Sequence, residues 1–214
     1  MNGHSVRESR KKKPRAARDA KGGEKRDRIL RAAVKVFARK GFYATRVSEI
    51  AKAAGVADGT IYLYFENKDD VLVSIFDFYL GKLVEVLHRE IDATDGIEAK
   101  LRRIIELQLG LLEGQRDLAE VVTVNLRQSS RLLKQYAAPR FKQYLDTIAS
   151  VIADGQKAGV LRDDLNPRIM ARALWGGLDG IALTWALGGD ADPGSLRKAS
   201  QQYATVFLEG LRRA

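Results

Sequence analysis

The chain of 214 residues contains no cysteine and only two histidines, His4 and His88. The first absence excludes a disulfide scaffold, Cys-ligated zinc or iron–sulfur centres, and thiol catalysis. The second excludes a multi-histidine metal site. Long apolar runs are also missing, and none approaches the roughly 20 residues that cross a bilayer as a helix. The basic N-terminus has no apolar stretch behind it and does not read as a secretory signal. No nucleophile elbow, P-loop, dinucleotide fingerprint or metal-ligand cluster occurs. These gaps point to a cytoplasmic protein that is not an enzyme and holds no cofactor.

Positive charge is abundant, and it is unevenly placed. Lys and Arg number 37 against 27 Asp and Glu, a formal net charge of +10. Residues 1–68 hold 18 basic and 7 acidic residues, whereas residues 69–214 hold 19 and 20. A local surplus of this size marks a polyanionic partner, either nucleic acid or an anionic membrane surface. Eight of the basic residues lie in residues 1–23, among Gly3, Pro14, Gly22 and Gly23. That composition offers nothing to bury and predicts a disordered basic tail. Such a tail is either an arm that tracks phosphates beside a folded reader or a solubilising extension.

From Glu24 onward apolar residues recur at helical spacing and almost nothing reads as strand. Ile29, Ala33, Val36 and Phe37 form one stripe, which Gly41 stops. A short helix is predicted over about 46–54 with Thr45 as N-cap, then a turn at Gly55, then a third helix over about 58–65. Asn67 caps a long fourth helix. Further helices are predicted over about 97–113, 117–128, 131–157 (bent or broken near Pro139), 167–187 and 193–213. Asn166-Pro167 and Asp192-Pro193 serve as start signals for the last two. The fold class is all-α with nine helices.

Two short helices meeting at a glycine turn, backed by a longer apolar helix, match the helix-turn-helix plan. The second of the pair must fit a major groove about 12 Å wide. Gly59 allows close approach to the DNA backbone. Thr60, Tyr62 and Tyr64 offer hydroxyls, Lys68 a point charge, and Arg46 enough length to reach a phosphate or groove edge. Asp58 either takes over the cap of this helix or accepts a hydrogen bond from a cytosine amino group. Thr45 and Leu63 complete the candidate DNA-contacting set.

The order Gly41-Phe42-Tyr43-Ala44-Thr45, Ile50-Ala51-Lys52-Ala53-Ala54-Gly55-Val56 and Gly59-Thr60-Ile61-Tyr62-Leu63-Tyr64-Phe65, followed by Asn67-Lys68 and Val71-Leu72, resembles the TetR-family DNA-binding domain. The resemblance covers about residues 24–72. It implies a dimeric transcriptional regulator, usually a repressor, that a small ligand releases from a palindromic operator. It also implies that Thr45, Thr60, Tyr62 and Lys68 touch the DNA backbone. Two positions depart from the common pattern: Ala57 stands where Ser or Thr often caps the recognition helix, and Asp58 where Lys, Arg or Pro is usual.

The implied organisation is a tail over 1–23, a DNA-binding domain over 24–70 and an effector-binding and dimerisation domain over 71–214. In the last, basic residues stand beside apolar stripes: Arg103 by Leu107, Arg127 by Leu126, and Arg131 by Leu132 and Leu133. An amphiphile with an acyl tail and a phosphate-bearing head needs that pairing. The bland alternative pairs these arginines with neighbours such as Glu106, Glu120 and Asp117. Asn125-Leu126-Arg127-Gln128-Ser129, Phe141-Lys142-Gln143-Tyr144-Leu145, Gly155-Gln156-Lys157-Ala158-Gly159-Val160-Leu161-Arg162 and Gly176-Gly177-Leu178-Asp179-Gly180 are similar to the TetR-family repressors of fatty-acid degradation. This resemblance implies a long-chain acyl-CoA as effector, with Leu178 also at the site; Asn125 departs from it, standing where a Glu is expected.

Trp175, Gly177, Ile181 and Trp185, with Tyr203 and Phe207 on the last helix, mix small and bulky residues in a pattern that permits close helix approach. They form the candidate homodimer interface, with packing inside one chain as the alternative. Two further functions stay open: an all-α enzyme with an apolar pocket, and a membrane-surface protein using the basic tail on anionic lipid. The first would have to use Asp163-Asp164, which reads as a solvated turn, or His88, which reads as a surface histidine.

Overall fold

The computed structural model describes residues 15–128, 139–188 and 194–213. Among these there are nine α-helices and no strand. They are α1 (Arg15–Lys40), α2 (Val47–Ala54), α3 (Asp58–Ile61), α4 (Lys68–Ala93), α5 (Ile97–Gly110), α6 (Arg116–Glu120), α7 (Pro139–Lys157), α8 (Pro167–Leu187) and α9 (Ser195–Leu211). The chain leaves α6 through a π-helical turn, Val121–Asn125, and a 3₁₀ turn, Leu126–Gln128. Arg131 and Asp192-Pro193 lie outside the described residues.

Helix α1 forms because Ile29, Leu30, Ala33, Val36 and Phe37 fall on one face, and all five are buried. Gly41 ends it at φ 75°, with its N–H bonded to the Phe37 carbonyl at 2.7 Å. The helix also reaches back to Arg15, so the expectation of a disordered tail through Gly23 is corrected for its last nine residues. Gly22-Gly23 costs a helix only about 1 kcal/mol per glycine relative to alanine. The packed turns that follow oppose that cost.

Two start signals differ from expectation. The N-cap of α2 is Arg46, whose N–H donates to the Glu49 carboxylate at 3.0 Å, while Thr45 turns inward. Helix α3 is a single turn capped by Ala57 without a side-chain bond, so Asp58 does not assume the cap. It gives way at Tyr62 to further turns. Gly55, at φ 63°, lets the chain reverse between α2 and α3. Asn67 does cap α4, accepting from the Asp70 N–H at 2.9 Å. Asn166 likewise caps α8, accepting from Arg168 and Ile169 N–H at 3.0 and 3.3 Å.

Two apolar cores result. The first joins α1, α2, α3 and the start of α4 (Val71, Leu72, Ile75) and recruits Leu118, Val121 and Leu126 from the α6 segment. The second joins the rest of α4 to α5, α7, α8 and α9. Helix α4, about 39 Å long at 1.5 Å per residue, therefore belongs to both. At the far end an antiparallel bridge pairs Leu161 with Arg212, and Arg212 grips Glu98 with two bonds of 2.8 Å.

Candidate functional site

The helix-turn-helix presents a surface built by α2, α3 and the turns around them. Tyr62 and Leu63 are 59% and 80% exposed, far more than apolar side chains placed for packing. Arg46, Asp58 and Gly59 are exposed as well, and Thr60 and Tyr64 are half-buried. A Cβ at Gly59 would meet nothing within 4 Å, so the glycine leaves open room in front of the helix. Tyr43, 73% exposed at the α1–α2 turn, joins this surface, although its place in a loop gave no helical signal that singled it out.

Two residues expected at the phosphates carry bonds within the fold of the free chain. Thr45 is only 2% exposed, and its hydroxyl donates to the Gly41 carbonyl at 2.8 Å. Its side chain locks the turn and faces away from solvent. The Lys68 ammonium donates to the carbonyls of Phe42, Tyr43 and Thr45 at 2.7, 3.1 and 3.0 Å and lies 4.6 Å from the Phe42 ring centroid. The three carbonyls match the three donors of the ammonium, which stays half-buried. The lysine ties the α1–α2 turn to the start of α4. Lys40 and Glu49 pair beside it, holding the Glu49 carboxyl below the usual glutamate range.

The second half holds an apolar cavity of about 100 Å³. Its walls come from α4 (Phe76, Tyr79, Leu80, Leu83), the end of α5 and the turn after it (Leu109, Leu112), the α6 segment (Leu118, Val122, Thr123) and α8 (Trp175, Asp179). Tyr144 from α7 closes one side; its hydroxyl donates to Gln108, and burial pushes its pKa up. Asp179 is the one charged group among the described lining residues. Burial raises its pKa, and the neighbouring Arg127 guanidinium opposes that shift. Arg127 also donates to the Thr123 carbonyl.

The sequence-expected effector residues fall around this cavity unevenly. Arg127 stands at its edge, bonded to two lining residues. Arg103 lies elsewhere, paired with Glu90 at 2.8 Å and with Glu106 at 3.7 Å, as the bland alternative held. Leu126 is buried in the first core, Leu178 in the second, and Leu107 packs against the second. Arg131 lies outside the described residues. Tyr79, Gln108, Thr123, Tyr144 and Asp179 were not singled out from sequence, since only their meeting in space distinguishes them from ordinary core positions.

The six expected interface residues pack largely within one chain. Trp175 lines the cavity and meets Phe141 edge-on, with ring centroids 5.0 Å apart. Tyr203 covers Gly177, where a Cβ would lie 2.2 Å from its hydroxyl oxygen, and stacks on Phe207 at 5.8 Å. Trp185 donates from its indole N–H to Ser195 at 2.8 Å, and Ile181 is half-buried on the core. All six stay half-buried, and the exposed α8 positions are Arg168, Ile169, Arg172, Ala173, Gly176, Thr184 and Leu187. A step of one residue turns a helix by about 100°, which separates Gly176 outside from Trp175 inside. His88 is exposed and bonds Thr147 at 3.0 Å, and Asp164 pairs with Arg162 in an exposed turn.

A short exposed reader helix on a cationic end, joined by one long helix to an apolar cavity, defines a ligand-sensing helix-turn-helix regulator. Residues 29–75 match the bacterial regulatory proteins of the tetR family, and residues 76–202 match the C-terminal region of YsiA-like proteins. The chain belongs to the TetR family of transcriptional regulators. It is 37% identical over 159 residues to the fatty acid metabolism regulator protein of Bacillus subtilis, covering 74% of this chain and 82% of that one. Among solved structures, FadR from Bacillus subtilis in complex with stearoyl-CoA superposes with a TM-score of 0.79 at 34% identity, covering 86% of this chain and 98% of that one. The fatty acid degradation regulator FadR from Bacillus halodurans does so with a TM-score of 0.80 at 33% identity, covering 87% and 99%. Among the described residues no helix is long and apolar enough to cross a membrane.

Proposed function

We propose that this protein is a cytoplasmic repressor, without enzymatic activity, that holds a palindromic operator as a homodimer and releases it on binding a long-chain acyl-CoA. Its operator contacts come from Arg46, Asp58, Gly59, Thr60, Tyr62, Leu63 and Tyr64, and the effector enters the cavity between α4, α6 and α8. Residues 24–70 form the reader and residues 71–214 the sensor. The exposed α8 stripe from Ile169 to Leu187, with Val206 exposed on α9, supplies the two-fold contact.

The observation that carries this proposal is the mismatch between cavity and ligand. At about 100 Å³ the cavity is smaller than the roughly 300–1,000 Å³ of a drug-sized ligand site. An acyl chain enters only if a wall gives way. The α6 segment is both a wall (Leu118, Val122, Thr123) and part of the core beneath the helix-turn-helix (Leu118, Val121, Leu126). Ligand and reader thus compete for one position of that segment, which provides the differential binding a switch requires. The relatives named for fatty-acid regulation, one of them holding stearoyl-CoA, support the acyl-CoA class.

A gel shift on the protein's own upstream DNA, titrated with acyl-CoAs of several chain lengths, tests this function. Long chains are expected to release the DNA, and Leu112→Trp, which fills the cavity from its edge, is expected to stay bound. DNA retained at every chain length overturns the acyl-CoA assignment and points to another hydrophobic effector.

A further inference from the structure

The contact between Arg127 and Asp179 is placed to do more than join two helices. Arg127 lies in the 3₁₀ turn that continues the α6 segment, Asp179 sits in the middle of α8, and both border the cavity. A carboxylate in an apolar wall is unfavourable unless a cation pairs with it, so Asp179 depends on this arginine. The dependence is not mutual: the Arg127 side chain keeps 41% exposure, against 17% for Asp179, and remains open to a different anion. The π turn just before Arg127 is not satisfied by itself either. Asn125 is 1% exposed, and its Oδ1 is buried without a hydrogen-bond partner among the described residues. Two ties hold the α6 segment to α8: at its start Arg116 donates to the carbonyls of Ala186 and Gly188, and at its far end Arg127 pairs with Asp179.

We infer that this pair is an exchangeable latch: an oxyanion on the head of the effector takes Asp179's place on Arg127 and frees the Arg127 end of the α6 segment from α8, while Arg116 keeps the other end in place. The inference rests on the effector site proposed above and adds its selectivity. Anionic amphiphiles are favoured over neutral lipids of equal chain length, because only they compensate the arginine for its lost carboxylate. Asp179 acts as the built-in competitor, setting the concentration at which the switch opens. The oxyanion belongs either to the diphosphate of a coenzyme A thioester or to the carboxylate of a free fatty acid.

Calorimetric titration of the full chain with palmitoyl-CoA, palmitate and hexadecanol tests the latch. Asp179→Asn is expected to bind the anionic probe about tenfold more tightly, through loss of one charged competitor, and to gain less for hexadecanol, which benefits only from the loosened wall. Arg127→Gln is expected to lose the preference for the anionic probe over hexadecanol, and Arg127→Lys to keep part of it. Whichever of palmitoyl-CoA and palmitate gains in Asp179→Asn identifies the source of the oxyanion. Unchanged or weaker anion binding by Asp179→Asn, or an intact preference in Arg127→Gln, overturns the latch and leaves the effector site standing. Binding of none of the three probes by the wild type overturns both.

Discussion

The ammonium of Lys68 donates to the Phe42 carbonyl at 2.7 Å and lies over the ring of the same residue, 4.6 Å from its centroid. A cation at the edge of a DNA-binding surface is thereby used to hold the surface together. Lys68→Ala is expected to destabilise the fold by about 2 kcal/mol, since bonds to a charged donor are lost at partly buried carbonyls. Operator affinity falls with it, yet the slope of log K against log salt stays as in the wild type, because no phosphate contact is removed. A slope lowered by about one would return Lys68 to the phosphate backbone.

Arg46 and Tyr62 separate the charged from the neutral contribution to DNA binding. Arg46→Ala is expected to lower the salt slope by about one. Tyr62→Phe is expected to weaken binding by about 1 kcal/mol at every salt concentration, and equally on operator and random DNA. Fluorescence anisotropy over a salt series distinguishes the two.

Gly177 and Tyr203 form a packed pair inside one chain. Gly177→Ala is expected to destabilise by about 1–3 kcal/mol, because the added methyl meets the tyrosine ring. Tyr203→Ala removes the clash, so the double variant is expected to show less than the sum of the two single effects. Denaturant unfolding of the four proteins measures the coupling. Additive losses would mean that the two residues act independently.

Glu49 gives the reader its own acid sensitivity. Lys40 and the Arg46 N–H lower its pKa below the ordinary 4.5, so the folded state binds its proton less readily than the unfolded chain does. Its contribution is complete above 4.5 and is lost as pH falls below that value. Melting curves of wild type and Glu49→Gln are therefore expected to differ at pH 7 and to converge as the pH falls well below 4.5. A gap that persists in acid would show that Glu49 acts through packing alone.

The reader was legible because its signals are local. Gly41, Gly55 and Asn67 mark the ends of helices within a few residues of the stripes they interrupt, and each performs that role in the structure. Departures began where a side chain had to choose between the solvent and its own fold. Thr45 has the chemistry of a phosphate ligand, but its backbone aims it at Gly41, a direction that composition does not carry. The helical start at Arg15 escaped for a related reason: propagation from a packed helix outweighs two glycines, and the packing comes from α2 and α4.

By itself the sequence determined the helix-turn-helix, the cationic end that bears it and the all-helical class, because apolar spacing, turn residues and charge are properties of neighbours along the chain. Only the tertiary structure decided which arginine reaches the cavity and which face of α8 stays open. Arg103 and Arg127 look alike beside their apolar stripes, yet one meets Glu90 and the other Asp179. Trp175 and Gly176 are adjacent in sequence and lie on opposite sides of the protein's surface. Helical periodicity says that a face is apolar, and what packs against that face comes from residues far away in the chain.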